Sequence, residues 1–193
     1  MHFTEFALNK PILKAIFEKN YDTPTDVQKE TIPLVLAKKD VVVSAQTGTG
    51  KTAAFALPIL QLLFHQQDAS SNVKHIRALV ISPTRELAVQ IEEEFKDYGK
   101  YTHLKSTCVF GGTSIEAQKN ILRKGVDILI ATPGRLLDLR KQEVINFDKV
   151  EVLVLDEADL MLDMGFIDDV QKIECMCPET KQDTHALLYD HTQ

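Results

Sequence analysis

Four residues near position 50 have the types and spacing to grip a polyphosphate. The stretch "VVVSAQTGTGKTAAFALPIL" sets Gly48, Gly50, Lys51 and Thr52 between an apolar run and a segment of helical spacing. It fits G-x-x-x-x-G-K-[ST] with Ala45 in the first small position, where any small side chain suffices for the turn. Gly48 and Gly50 would let backbone N–H groups close around phosphate oxygens, and the following helix start adds a favourable dipole. Lys51 would reach the β- and γ-phosphates, and the Thr52 hydroxyl would ligate Mg²⁺. The predicted nucleotide cradle is Ala45, Gln46, Thr47, Gly48, Thr49, Gly50, Lys51 and Thr52. An ordinary glycine-rich turn with an exposed lysine is the bland alternative, and the strand–loop–helix order argues against it.

A phosphate loop of this kind needs an acid at the end of an apolar strand, and "VEVLVLDEAD" supplies one. Asp156 would hold Mg²⁺ through water, and Glu157 would orient and polarise an attacking water. Lys51, Asp156 and Glu157 are therefore the predicted catalytic groups, with Thr52 and Asp156 on the metal. Other constellations are weaker. Asp190 and His191 stand together after the run "ALLY", but no nucleophile accompanies them. Cys175 and Cys177 with His185 and His191 could be drawn as a zinc site, although C-x-C spacing is rare in structural zinc sites. Glu92-Glu93-Glu94 reads as the exposed face of a helix.

These groups need a scaffold that brings positions 50 and 156 together. Apolar runs of strand length recur at 41–44, 78–82, 106–110, 127–131, 150–155 and 186–189. Most are unbroken rather than alternating, as expected of strands covered on both faces. Helical spacing fills the gaps at about 25–37, 51–64, 84–98, 114–124 and 134–141, and 65–75 reads as a polar loop. The alternation predicts an α/β fold: a mostly parallel central sheet with helices on both faces. Residues 1–36 precede the first strand and read as a helical extension, with Asn9 capping a helix that has Pro11 in its first turn. Residues 37–193 form the sheet domain.

With 193 residues, 44% hydrophobic and 26% charged, the chain has the composition of one ordinary globular domain. No apolar run approaches a membrane span, and residues 1–20 are too charged for a signal peptide. Three cysteines suggest no disulfide framework, so a reduced, intracellular setting is expected, cytoplasmic with the nucleus left open. A net charge of -6 argues against a broad basic field of the sort used for non-specific nucleic-acid binding, but not against local contacts from a few arginines and helix starts.

"DEAD" at 156–159 with "AQTGTGKT" at 45–52 resembles the DEAD-box RNA helicases. "YDTPTDVQ" at 21–28 is similar to that family's adenine-reading Q motif, with Phe3 where the family keeps an isolated upstream aromatic. "PTREL" at 83–87, "GG" at 111–112 and "TPGR" at 132–135 match its RNA-contacting motifs in order. The resemblance implies a RecA-like P-loop NTPase domain that binds ATP and Mg²⁺. A glutamine amide can donate and accept at the N7/N6 edge of adenine, so Gln28 would choose ATP over GTP, and Tyr21 offers a stacking face. The family's usual glycine before that aromatic is Asn20 here, a residue that also tolerates positive φ. In the RNA motifs Arg85 and Arg135 can pair with phosphate, Thr84 and Thr132 can donate hydroxyls, and Gly111-Gly112 admits close backbone approach ahead of a helix capped by Thr113 or Ser114. Pro83, Pro133 and Gly134 complete the implied contact set. Such contacts imply binding without sequence preference.

The resemblance also implies what this chain would need. The family's core has two RecA-like domains with ATP between them, and the second, missing here, supplies arginines to the transition state. A Ser-Ala-Thr motif after the DEAD segment couples ATP to strand separation through the last Asp, here Asp159. "ALLYDHT" sets Asp190 and His191 on the Ser and Ala and Thr192 on the Thr, so the coupling motif is expected to be degenerate. Three functions follow: the first domain of an ATP-dependent RNA helicase, a monomer on its own; a non-catalytic half that binds ATP or RNA; or another P-loop enzyme such as a small-molecule kinase, which the ordered RNA motifs disfavour.

Overall fold

Each apolar run becomes a strand in the computed structural model, which describes residues 1–46, 48–65, 75–178 and 185–190. β1 (Val41–Ser44), β2 (Ala78–Ile81), β3 (Ser106–Val109), β4 (Ile128–Ala131), β5 (Val152–Asp156) and β6 (His185–Asp190) form one sheet in the order β1-β6-β5-β2-β4-β3. Every pairing is parallel. The helices are α1 (Lys10–Glu18), α2 (Asp26–Leu36), α3 (Lys51–His65), α4 (Arg85–Gly99), α5 (Ile115–Leu122), α6 (Pro133–Lys141), α7 (Ala158–Asp163) and α8 (Ile167–Met176).

Period-2 alternation divides the strand side chains between two cores. Ala78, Val80, Ile128, Ile130, Val152 and Val154 face one side, against apolar residues of α1, α2, α3 and α4. Leu79, Ile81, Leu129, Ala131, Leu153 and Leu155 face the other, against Leu122, Leu136, Leu139, Val170 and Ile173 of α5, α6 and α8. Covering both faces is why these strands are unbroken apolar runs. The chain steps outward from β1 to β2 to β3 with α3 and α4 on one face, then returns through β4, β5 and β6 with its later helices on the other, as crossovers of a single hand require.

The 1–36 segment is helical and its apolar side joins the first core through Phe3, Phe6, Leu8, Ile12, Ile16, Ile32 and Val35. Asn9 and Thr25 stand at the N-cap positions of α1 and α2, and Ser114 caps α5 by accepting from the Ala117 N–H. α7 and α8 were not anticipated, although Val170, Ile173 and Cys177 keep helical spacing. The acidic run is corrected too. α4 lies between the sheet and α1, so Glu93 alone is exposed, while Glu92 is buried and accepts from Cys108 Sγ at 3.2 Å and Lys96 Nζ at 2.8 Å. Burial also holds the Glu94 carboxyl above its ordinary range. The polar 65–75 segment begins inside α3 at His65, and residues 66–74 lie outside those described. No helix among the described residues is long and apolar enough to cross a membrane.

Candidate functional site

Parallel pairing puts the C-terminal ends of all six strands along one edge, the side on which open α/β sheets bind ligands. The phosphate-loop, acidic and RNA-motif segments singled out in the sequence all leave the sheet there, whereas 21–28 precedes β1. Residues 45–50 follow β1, 83–85 follow β2, 110–113 follow β3, 132–135 follow β4, 156–159 begin at the last residue of β5, and Asp190 ends β6.

Ala45, Gln46, Gly48, Thr49 and Gly50 connect β1 to α3, which starts at Lys51 with Thr52 half-buried in its first turn; Thr47 lies outside the described residues. Gly48 and Gly50 have φ of 80° and 82°, where side chains are disfavoured. A Cβ on Gly50 would also stand 2.3 Å from Gln28 Nε2. The Thr49 hydroxyl donates to the Gln46 carbonyl at 2.7 Å and tightens the loop.

Gln28 is buried and bridges α2 to this loop. Its Oε1 accepts from the Thr25 N–H at 3.0 Å, its backbone N–H donates to Thr25 Oγ1, and its Nε2 donates to the Gly50 carbonyl at 3.1 Å. The first pair is a capping box. One amide N–H and one lone pair remain for a ligand edge. Asn20 adopts the left-handed backbone expected of it, φ 58°, and Tyr21 is exposed. Phe3 is corrected: it is 1% exposed, packed edge-on against Phe6, and offers no open face to a base. Its apolar ring is worth more in the core than at a wet site.

Lys51 and the Asp156-Glu157 pair meet although 106 positions separate Lys51 from Glu157. Lys51 Nζ donates to Glu157 Oε1 at 3.0 Å, with both side chains buried. Glu157 is held at φ 56°, a left-handed conformation that costs an L-residue ~1 kcal/mol and tends to persist at functional sites. Asp156, 6% exposed, has its carboxyl pushed up to about 7, first by burial and then by the neighbouring Glu157 charge, with Lys51 opposing. Asp159 is half-buried in the first turn of α7.

Two left-handed glycines ahead of a buried ammonium, with an acid that burial disfavours as an anion, suit a polyanion with its cation. Among the described residues no cluster of three or more His, Cys, Asp or Glu side chains could hold a metal by itself. Mg²⁺ does not need one, because it is commonly held by one or two protein oxygens with water and phosphate completing the shell. The zinc alternative loses its geometry: Cys177 is buried in the second core while Cys175 is at the surface.

The second cluster is a groove of about 450 Å³ beside the first. Pro83, Arg85, Gly111, Thr132, Pro133, Gly134 and Arg135 all line it, joined by Phe110, Asp138 and Phe166. Gly112 is exposed alongside, with φ 79°. Thr84 Oγ1 accepts from the Leu87 N–H and caps α4, which leaves its hydroxyl proton to donate. The Arg85 guanidinium lies 4.9 Å over the Phe110 ring centroid. Phe110, Asp138 and Phe166 were missed, as was Gln118, which bonds Arg135 at 2.9 Å. Gln118 left a readable trace: with Ile115 and Leu122 it occupies the apolar stripe of α5, where a polar residue needs a buried partner.

At the end of β6, Asp190 is paired in register with Ser44, and Tyr189 with Asp156. β6 therefore ends between the phosphate-loop strand and the acid-bearing strand; His191 and Thr192 lie outside the described residues.

Known proteins resemble this chain in sequence and fold. Residues 25–188 match the family model described as DEAD/DEAH box helicase. The chain is 47% identical over 190 residues to the DEAD-box ATP-dependent RNA helicase RhpA of Helicobacter pylori, covering 98% of this chain and 37% of that protein. It is 46% identical over 192 residues to CshA of Streptococcus pneumoniae, a DEAD-box ATP-dependent RNA helicase of which it covers 35%. The crystal structure of a DEAD box protein from Methanococcus jannaschii superposes with a TM-score of 0.88 at 38% identity, over all of this chain and 50% of that one. The chain thus spans little more than a third of the length of these curated relatives. With a matched model over most of its length and this RecA-like sheet, the chain belongs to the DEAD/DEAH box helicase family.

Proposed function

We propose that this chain is the first RecA-like domain of an ATP-dependent RNA helicase, with residues 1–36 as an adenine-reading helical extension and 37–193 as the ATP-binding domain. The observation that carries the reading is the buried Lys51–Glu157 contact, which joins the phosphate loop to the acid-bearing strand end. On ATP binding Lys51 exchanges Glu157 for the β- and γ-phosphates, and Glu157 is released to orient a water. The backbone from Ala45 to Gly50, with Thr47 among them, cradles the phosphates. Thr52 and Asp156 would hold Mg²⁺, which when bound neutralises phosphate charge. Gln28 uses its remaining N–H and lone pair on adenine, and Tyr21 stacks on the base.

RNA lies along the second groove, where Arg85, Arg135, Thr84, Thr132 and the open backbone at Gly111-Gly112 and Pro133-Gly134 meet sugar and phosphate without reading bases. Turnover and unwinding require a second RecA-like domain that brings arginines to the γ-phosphate. Asp159 and the Asp190–Thr192 segment couple the two events, with Asp190 and His191 weakening that coupling. A cytoplasmic monomer fits this role. The test is ATPase rate with and without single-stranded RNA, on this chain alone and joined to a second domain. RNA stimulation confined to the joined form, and lost with Lys51→Ala, is expected; turnover unchanged by Lys51→Ala sinks the assignment.

A further inference from the structure

Arg135 of the groove has a support that no motif contains. Gln118 is 7% exposed, although its side chain ends in a polar amide. Its Nε2 donates to the Phe110 carbonyl at 3.0 Å and to Thr113 Oγ1 at 2.8 Å. Its Oε1 accepts from Arg135 Nη1 at 2.9 Å, and Arg135 Nη2 donates to the Thr113 carbonyl at 3.1 Å. The orientation of the amide is forced. A guanidinium only donates and a carbonyl only accepts, so the oxygen must face Arg135 and the nitrogen Phe110.

We infer that Gln118 is a positioning residue that locks residues 110–113 to the start of α6 and sets the aim of Arg135 toward a phosphate of single-stranded RNA. The inference rests on the RNA reading of the groove proposed above. Gln118 holds Arg135 directly and also anchors the Phe110 carbonyl, which ties residues 110–113 to α5. The bonds to Gln118 and Thr113 commit one N–H on each terminal nitrogen of Arg135, and the remaining donors are left for phosphate oxygens. An arginine fixed before binding loses less rotamer freedom on binding than a free one. Gln118 itself is too buried to touch the strand. Its contribution runs through Arg135, which separates it from a residue that merely keeps α5 folded.

The experiment measures affinity of the whole chain for a fluorescent oligouridylate across a salt series, for Gln118→Met, Arg135→Ala and the double variant. Thermal midpoint and affinity for a fluorescent ATP analogue report whether each variant is folded. Arg135→Ala is expected to weaken binding about tenfold, the loss of one charge-assisted contact. It also lowers the slope of log affinity against log salt by about 0.7, one phosphate on a single strand. Gln118→Met matches both effects without lowering ATP affinity, and the double variant is no weaker than Arg135→Ala to within about twofold, because the two act as one unit. Gln118→Asn keeps the amide but shortens its reach, and serves the same comparison where the methionine variant does not fold. If Arg135→Ala weakens binding while the Gln118 loss is absent, leaves the salt slope unchanged or adds in full, Gln118 is only structural and the inference falls alone. If Arg135→Ala changes neither affinity nor slope, the groove reading falls and this inference with it.

Discussion

Replacing Gly50 with alanine adds a methyl group where Gln28 already stands. The new Cβ would lie 2.3 Å from Gln28 Nε2 and 3.3 Å from its Cδ, on a backbone with φ 82°. Gly48 makes the natural comparison: its φ is 80°, and a Cβ there would meet nothing within 4 Å. Both substitutions carry the same left-handed penalty, ~1–2 kcal/mol, so their difference isolates the contact with Gln28. To make room the amide must swing away, losing its bonds to the Gly50 carbonyl and the Thr25 N–H. At ~1 kcal/mol each, Gly50→Ala should cost about 2 kcal/mol more than Gly48→Ala. For a domain of this size that separates the thermal midpoints by ~4–8 °C. Nucleotide-free protein followed by circular dichroism gives the two midpoints, and the same pair is then compared in a Gln28→Ala background. There the obstacle is gone and the difference should vanish. Equal costs for the two glycines in the parent protein, or an excess that persists without Gln28, would refute the claim that this glutamine holds the phosphate loop from behind.

Three other outcomes follow from the site. Lys51→Met removes the ammonium from beside the buried Glu157 carboxylate and should cost ~3 kcal/mol or more in urea unfolding of nucleotide-free protein, with Glu157→Gln added on top recovering part of it; no recovery would mean that the pair is not coupled. Asp156 titrates near 3.8 when unfolded and at about 7 when folded, so the folded state retains its proton across that window. Stability from this group is full below pH 4 and lost as pH rises through about 7, so metal-free protein should lose more stability between pH 5 and pH 8 than its Asp156→Asn variant. Parallel pH profiles for the two would contradict this. Asp138 is an exposed acid in the proposed RNA groove, and Asp138→Asn should tighten oligouridylate binding severalfold at low salt, the gain fading as salt screens it; an unchanged affinity would place the strand elsewhere.

Much of this architecture was legible because its signals are local. Apolar runs marked the six strands among the described residues, unbroken in β2, β4 and β5 because both faces are covered, and helical periodicity marked α1 through α6. Gly48, Gly50, Lys51 and Thr52 announced a phosphate loop from spacing alone. α7 and α8 were passed over because the break at Met164-Gly165 interrupts the periodicity, although Val170, Ile173 and Cys177 carried it. Phe3 misled because an aromatic beside a motif looks the same in sequence whether it stacks on a ligand or fills a core. Glu92 misled because a run of three acids does not tell which of them an amphipathic helix turns inward.

What the sequence determined by itself was the inventory: which residue types were available, in what order, and which turns needed glycine. Steric limits on φ, hydrophobic period and motif spacing act over a few residues, so they can be read along the chain. The tertiary structure decided the partnerships. Strand order placed β6 between β1 and β5, brought Lys51 to Glu157 across the sheet edge, and turned Gln118 inward to meet Arg135. These contacts depend on distances set by crossovers and packing rather than by neighbours. The same carboxylate or amide is a solvated surface group or a buried support according to what the fold puts beside it.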